Sequence, residues 1–318
     1  MITSYQRTPT GLAPSPGLVK TKPAPLWVDL SYLTRSEELA VESAFRIEVP
    51  TREEMADFEV SNRLYAYGEA LYLTITLPYQ LETDFPTITD LSFILTPSTL
   101  ITLRYADPKA FSLYLQATER TLPTTADHVL SGLFEALAER LSEALTRVNR
   151  DTNDIAANIF APAQGRRHAP LQGLVEQLGR DGDLLGKLRE SFLSIQRAVG
   201  FLMQNQTVNL SPNAQGVLKT LGTDLQSLLD HTNFLTSKIS FLLDATLGLM
   251  SIEQNNIIKI FSVAAVIFLP PTLVASLYGM NFAYMPELQW EYGSLWAVGL
   301  MVLAAAVPYL YFKRRGWL

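Results

Sequence analysis

The chain has 318 residues, 48% of them hydrophobic, and a formal net charge of −6 at pH 7. The acidic balance argues against nucleic acid as a partner. The absence of cysteine excludes disulfides and thiolate metal sites and fits a reducing compartment. The three histidines, His128, His168 and His231, are scattered, so no histidine-rich zinc site is evident.

The first 25 residues contain five prolines among small and polar residues. This composition predicts a flexible N-terminal tail over residues 1–25. The N-terminus also lacks an apolar stretch that an export machinery recognises, so we expect the first 250 residues to remain in the cytoplasm.

Residues 26–124 predict a cytoplasmic α/β domain. A helix is expected near residues 37–44, and Pro97-Ser98 supplies a turn before the last strand. Short β-branched or aromatic runs predict the strands; they are 27–30, 45–49, 71–77, 91–96 and 100–105.

The apolar period then changes to three and four residues, which is typical of amphipathic helices. We predict a helical hairpin over residues 125–210 and a stalk helix over 211–256. No proline occurs between Pro212 and Pro270, so the stalk is expected to run without a break into the next segment. Its apolar positions recur at intervals of three, four or seven; they are Leu218, Leu221, Leu225, Leu228, Leu235, Ile239, Leu242 and Leu249.

Two charge-free apolar runs, residues 260–286 and 292–312, lie near the C-terminus. A bilayer core requires roughly 20 apolar residues as a helix, so each run is long enough to span a membrane once. We predict transmembrane helices over 257–278 and 292–312, joined by an external loop over 279–291 and followed by a basic tail over 313–318. The loop has no Lys or Arg, whereas Lys313, Arg314 and Arg315 follow the second span, so both termini are expected in the cytoplasm.

The first span ends in Tyr278-Gly279-Met280-Asn281, and Met285-Pro286-Glu287-Leu288 follows. With the two-span layout and the basic tail, this sequence resembles the CorA family of magnesium and cobalt transporters. The resemblance implies an α+β cytoplasmic domain, a long helical stalk and two C-terminal transmembrane helices. It also implies a funnel-shaped homopentameric channel in the inner membrane whose first span lines the pore.

The loop residues suit the chemistry of Mg²⁺, which binds oxygen ligands and loses water reluctantly. A ring of Asn281 amide oxygens, one per subunit, would hold a hydrated ion, with Met280 and the Gly279 carbonyl beside it. Glu287 and Glu291 would concentrate cations at the mouth. The alternative is an ordinary turn in which Gly279 and Asn281 are present because they tolerate positive backbone φ angles.

Counting back from Gly279 by three or four residues gives the predicted pore-lining stripe: Ser276, Thr272, Leu269, Ala265, Phe261, Ile258 and Asn255. The stripe is polar at both ends and apolar in the middle, where dewetting would gate ion flow. Family members often carry methionine where Leu269 and Ile258 stand here. Helix packing is the alternative role for any one of these residues.

The resemblance further implies that cytoplasmic Mg²⁺ bound between subunits closes the channel. Candidate ligands are Asp224 and Asp230 on the stalk and Asp57 in the α/β domain, although solvated surface carboxylates remain an alternative. Mg²⁺ is thus expected to be both the transported ion and the regulatory ligand. The membrane potential is expected to drive its uptake, and no organic cofactor is expected. Co²⁺ and Ni²⁺ are possible further cargoes.

Two other functions fit parts of the pattern. A Zn²⁺ transporter of the same superfamily shares the layout, but Met280 favours the magnesium branch. A two-span signalling receptor would need more outside the membrane than a loop of about 13 residues. An enzyme is not expected, since no nucleophile–base set emerges from the sequence.

Overall fold

The computed structural model describes residues 1–9, 11–18, 24–57, 59–83, 85–160, 170–280, 285–286 and 290–316. They divide into two units, Met1–Leu243 and Asp244–Leu318. The strands are β1 (Ile2–Thr8), β2 (Gly11–Pro16), β3 (Trp27–Ser31), β4 (Leu64–Tyr67), β5 (Ala70–Tyr79), β6 (Thr87–Leu95) and β7 (Leu100–Arg104). The helices are α1 (Arg35–Phe45), α2 (Arg52–Met55), α3 (Val60–Arg63), α4 (Lys109–Ala117), α5 (Ala126–Phe160), α6 (Leu171–Gln204), α7 (Pro212–Tyr278) and α8 (Gly293–Arg314).

The seven strands form one mixed sheet in the order β2-β1-β3-β7-β6-β5-β4. β3 and β7 pair in parallel, and the other neighbours pair antiparallel. Successive side chains of a strand point to opposite faces, so each central strand supplies two cores. On one face Trp27 meets Phe111 of α4 at 5.6 Å between ring centroids, and Phe93 meets Phe134 of α5 at 5.1 Å.

The other face of the sheet packs under α1 and the segment that follows it. Val28 and Leu30 of β3 and Ile101 of β7 are fully buried there against Val41 of α1. Both faces of the sheet are therefore covered, so every residue of β3, β5 and β7 except the last of each strand is buried.

The N-terminal segment is where the structure corrects the predicted flexible tail over residues 1–25. β1 pairs with β3, and β2 extends the sheet as its edge strand. Pro14 and Pro16 fit in β2 because a strand at an edge leaves backbone positions that need no N–H donor. Tyr5 of β1 stacks on Trp27 with ring centroids 4.3 Å apart, which anchors the segment.

The predicted strand over residues 45–49 is also wrong. α1 ends at Phe45 because Arg46 adopts the left-handed conformation, φ 55°, and its N–H donates to the Glu42 carbonyl. The β-branched residues Ile47 and Val49 are buried in an irregular segment over the sheet. Burial over the sheet, and not strand pairing, accounts for their apolar character.

The predicted uninterrupted helix is confirmed: α7 has 67 residues and contains Pro270 and Pro271 without ending there. Within the first unit its buried stripe runs through Leu218, Leu221 and Leu225 and then takes Leu229, not the predicted Leu228. Thr232 continues this stripe fully buried. Its hydroxyl donates to the Leu228 carbonyl at 2.7 Å, which satisfies the polar group inside the core.

Candidate functional site

The second unit contains the C-terminal part of α7 and all of α8, both long and apolar enough to cross a membrane. Only 6% of the most apolar stretch of either helix is buried. On α7, Val263 is buried, and the half-buried positions that accompany it recur at helical spacing; they are Ala264, Ile267, Pro270, Pro271, Val274 and Tyr278. The helix thus has one shielded side.

The predicted pore-lining residues lie on the opposite side of the helix. At about 100° per residue, they centre nearly half a turn away from Val263. All seven are exposed in the single chain: Asn255, Ile258, Phe261, Ala265, Leu269, Thr272 and Ser276. Phe261 is 71% and Leu269 65% exposed. The chain therefore presents this whole stripe unburied.

Thr272 is oriented by its own helix. Its hydroxyl donates to the Phe268 carbonyl at 2.7 Å, one turn earlier. Because the hydroxyl proton is donated to the backbone of the same helix, the oxygen lone pairs remain available to a cation or to its hydration water.

Gly279 and Met280 close the helix by backbone bonds. The Gly279 N–H donates to the Ala275 carbonyl at 2.9 Å, and the Met280 N–H to the Leu277 carbonyl at 3.3 Å. Gly279 does not have a positive φ, so the turn geometry does not require glycine. A Cβ there would instead lie 3.1 Å from the Ala275 carbonyl oxygen, which is tighter than ordinary contact. A side chain at this position would therefore require a shift of a few tenths of an ångström.

The remaining loop residues are only partly described. Asn281 and Glu287 lie outside the described residues, and Glu291 is exposed just before α8. Met280 is 50% exposed. Of the three residues of the predicted filter, the structure therefore describes Gly279 and Met280 but not Asn281.

The candidate regulatory carboxylates occupy three separate environments. Asp57 is half-buried and accepts hydrogen bonds from the Glu59 N–H at 3.0 Å and from Asn62 Nδ2 at 2.7 Å, which gives it a local structural role. Asp230 is exposed and accepts from Gln226 Nε2 at 3.1 Å on the same helix.

Asp224 lies in a cleft of about 660 Å³ between α4, α5 and α7. The cleft also contains Glu135, Glu139 and His128, which were not among the ligands predicted from the sequence. A sequence feature that could have identified the two glutamates is their spacing of four residues. This spacing is about one helical turn and places both carboxylates on one face of α5. Among the described residues no three His, Cys, Asp or Glu side chains are close enough to hold a metal ion.

The end of α8 has cationic and aromatic groups in contact. Lys313 Nζ lies 6.0 Å from the centroid of the Tyr309 ring, and the Arg315 guanidinium lies 5.7 Å from that of Tyr311. Amphipathic side chains of this kind are enriched where a helix leaves a membrane.

Comparison with known proteins places these features in a family. Residues 24–314 match the family described as CorA-like Mg²⁺ transporter protein. The chain is 38% identical over 298 residues to the magnesium transport protein CorA of Yersinia pseudotuberculosis, covering 92% of each chain. It is 35% identical over 297 residues to the protein of that name in Escherichia coli K12, again covering 92% of each.

The fold is similar to that of the complete CorA magnesium transporter from Methanocaldococcus jannaschii. The TM-score is 0.77 at 18% identity, covering 100% of this chain and 99% of the other. The predicted fold class, a soluble α/β domain with a long helix and two C-terminal apolar helices, is thereby confirmed. The resemblance stated from the motif is confirmed as well.

Proposed function

The chain belongs to the CorA-like Mg²⁺ transporter family, and we propose that it conducts Mg²⁺ through a pore that several copies of α7 enclose. It is a transporter of divalent cations, chiefly Mg²⁺, and not an enzyme. The observation that carries the pore proposal is the exposed stripe from Asn255 to Ser276, opposite the shielded side of α7.

Several copies are required because two helices cannot surround an ion path. Large apolar side chains such as Phe261 and Leu269 are exposed in one chain. In a bilayer the lipid is as apolar as these side chains, so neighbouring helices would associate through van der Waals packing and not through removal of apolar surface from water. We propose a homopentamer, the assembly that the family resemblance implies.

The proposed path changes character along its length. Asn281 amide oxygens and the Gly279 carbonyl receive the hydrated ion at the outer end, and Ser276 and Thr272 hydroxyls follow. Leu269, Phe261 and Ile258 form an apolar constriction that gates by excluding water. Ala265 lines the wall of the path between Leu269 and Phe261. Asn255 offers an amide oxygen on the cytoplasmic side of the constriction.

The membrane potential supplies the driving force. It is worth about 2.3 kcal/mol per charge per 100 mV, so a divalent cation gains about twice that on entry. We place the protein in the inner membrane with both termini in the cytoplasm. Lys313, Arg314 and Arg315 support this orientation by the positive-inside rule, and Glu287 and Glu291 add negative potential at the outer mouth.

Cytoplasmic Mg²⁺ is proposed to close the channel by binding more tightly to the closed state. Asp224 is the best supported of the candidate ligands because Glu135 and Glu139 share its cleft. Oxygen ligands from a neighbouring copy would complete the coordination that one chain lacks. Asp57 and Asp230 are weaker candidates, since both accept hydrogen bonds within their own segments.

The filter is tested by Mg²⁺ influx into proteoliposomes under an imposed negative-inside potential. Wild-type protein should take up Mg²⁺, and Asn281→Ala should abolish most of that uptake. Equal uptake by both proteins would refute the filter. Parallel assays with Co²⁺ and Ni²⁺ define the cargo range. Movement of Zn²⁺ alone, under a proton gradient, would favour the zinc-carrier alternative.

The pore face is tested with single cysteines, because the natural chain has none. Ser276→Cys on the exposed stripe should make Mg²⁺ uptake sensitive to a small charged thiol reagent. Val274→Cys, on the shielded side two residues away, is the matched control and should remain insensitive. Equal inhibition of both variants would contradict the assignment of this face to the pore.

A further inference from the structure

A second cleft, distinct from the proposed ion path, lies in the first unit between α6 and the β4–β5 edge of the sheet. Its volume is about 270 Å³. The polar residues of its wall that bear on a ligand are Arg63, Thr76, Arg189, Glu190, Ser194 and Arg197. Three guanidinium groups and one carboxylate thus surround a small concave space.

Arg63 forms the fixed part of the wall. Its Nη2 donates to Thr76 Oγ1 at 2.6 Å and to Asp90 Oδ1 at 2.5 Å, and its Nε donates to the Thr74 carbonyl at 3.4 Å. The side chain is 15% exposed. Asp90 therefore offsets the charge of Arg63. This arginine shapes the wall of the cleft but adds no net positive charge to it.

Arg189 and Arg197 supply the uncompensated charge. Both are exposed, and neither forms an ion pair with any described residue. They stand eight residues apart on α6, about 12 Å along the axis, so their long side chains flank the cleft from two turns. Arg189 Nε donates to Asn233 Oδ1 of α7 at 3.3 Å, which leaves both of its terminal nitrogens available.

Ser194 supplies a neutral donor between the two arginines. Its Oγ accepts the Thr76 backbone N–H at 2.9 Å, which fixes the oxygen over β5. The hydroxyl retains its own proton for donation into the cleft. Guanidinium groups donate in pairs to phosphate oxygens, and a nearby hydroxyl adds a further donor, so this set of groups suits a phosphate.

We propose that this cleft binds a small phosphate-bearing anion. At about 30 Å³ per water, the space holds roughly nine waters, which suits one or two phosphate groups. The two sources of that chemistry are free inorganic phosphate or pyrophosphate and the phosphate end of a nucleotide. The ligand would be held by Arg189, Arg197 and Ser194, with Glu190 opposing it.

The test is isothermal titration of the full-length protein in detergent, at fixed ionic strength and without Mg²⁺. The probes are inorganic phosphate, pyrophosphate and ADP, with chloride as the reference anion. Saturable binding of pyrophosphate is expected, and Arg189→Gln and Arg197→Gln should each weaken it about tenfold or more. Lys219→Gln, which removes an exposed positive charge on α7, is the matched control and should bind as wild type does.

Glu190→Gln provides a test of opposite sign. Removing this carboxylate should tighten pyrophosphate binding several-fold, because the anion no longer faces a like charge. Tighter binding of ADP than of pyrophosphate would identify a nucleotide as the ligand, and equal affinities would identify the phosphates alone. Absence of saturable binding, or affinities unchanged in both arginine variants, would overturn the proposal.

Discussion

The two units of the chain handle their apolar side chains in opposite ways. In Met1–Leu243 the sheet and its covering helices fully bury several large aromatic side chains, such as Trp27 and Phe134. In Asp244–Leu318 side chains of similar size, such as Phe261 and Trp296, are mostly exposed. A water-soluble unit must complete its core within one chain, whereas a membrane unit leaves its apolar surface for lipid and neighbouring copies.

The largest difference between the units should appear on deleting a tryptophan from each. Trp27→Ala should lower the free energy of unfolding by about 3–5 kcal/mol, because the indole is fully buried and donates to Thr102 Oγ1 at 2.9 Å. Trp296→Ala on α8 should change it by less than about 1 kcal/mol in detergent. Denaturant unfolding followed by far-UV circular dichroism measures both. A similar loss in the two variants would break the comparison.

The ion pair of Asp29 and Arg104 tests the same contrast with a charge. Asp29 Oδ2 lies 2.8 Å from Arg104 Nη2, and the Asp29 side chain is 4% exposed. Asp29→Ala should cost about 3–5 kcal/mol because it leaves a buried guanidinium without that partner. Asp107, 78% exposed, pairs with the same arginine, and Asp107→Ala should cost less than about 1 kcal/mol. Equal losses in urea midpoints would contradict burial as the cause.

Asp181 is a place where the first unit is not optimally stable. Burial, and to a lesser extent the nearby Asp151 carboxylate, together raise the pKa of Asp181 from an ordinary value of 3.8 to about 6. No described residue donates a hydrogen bond to its Oδ2. Between pH 3.8 and 6 the folded state binds more protons than the unfolded state, so this group reduces stability as pH rises through that window.

Asp181→Asn should therefore stabilise the protein at pH 8 by up to about 3 kcal/mol. The gain should shrink steadily toward pH 4, where the native carboxyl is protonated. Thermal unfolding at several pH values measures this. Asp154→Asn, exposed on α5, is the control and should stay within about 0.5 kcal/mol of wild type. A gain that does not depend on pH would exclude ionisation as the cause.

The smallest expected effect is at the start of α1. Thr34 Oγ1 accepts the Glu37 N–H at 3.4 Å, and Glu37 Oε2 accepts the Thr34 N–H at 2.9 Å, which forms a capping box. Thr34→Ala should cost about 1 kcal/mol, and Thr34→Ser should restore most of it. If the serine variant melts like the alanine variant, the hydroxyl is not the source of the stability.

The sequence predicted those elements whose signal is local. The period of α7 and the length of the apolar runs required no knowledge of neighbours, and the long helix is confirmed. Two errors arose where a neighbour decided. From the sequence, Pro14 and Pro16 indicate a coil. In the structure they lie in an edge strand, where proline is tolerated because some backbone positions need no N–H donor. Ile47 and Val49 indicate a strand, although their apolar side chains cover the sheet from an irregular segment.

The candidate site divides in the same way. The sequence alone determined the family, through Tyr278-Gly279-Met280-Asn281 and two apolar runs, because a membrane span and its terminal motif are contiguous in the chain. It also ordered the exposed stripe of α7, since helical spacing follows from residue number. Only the tertiary structure placed Glu135 and Glu139 beside Asp224, or Arg63 beside Arg197. Such clefts join residues far apart in sequence, and their proximity depends on how the sheet and helices pack.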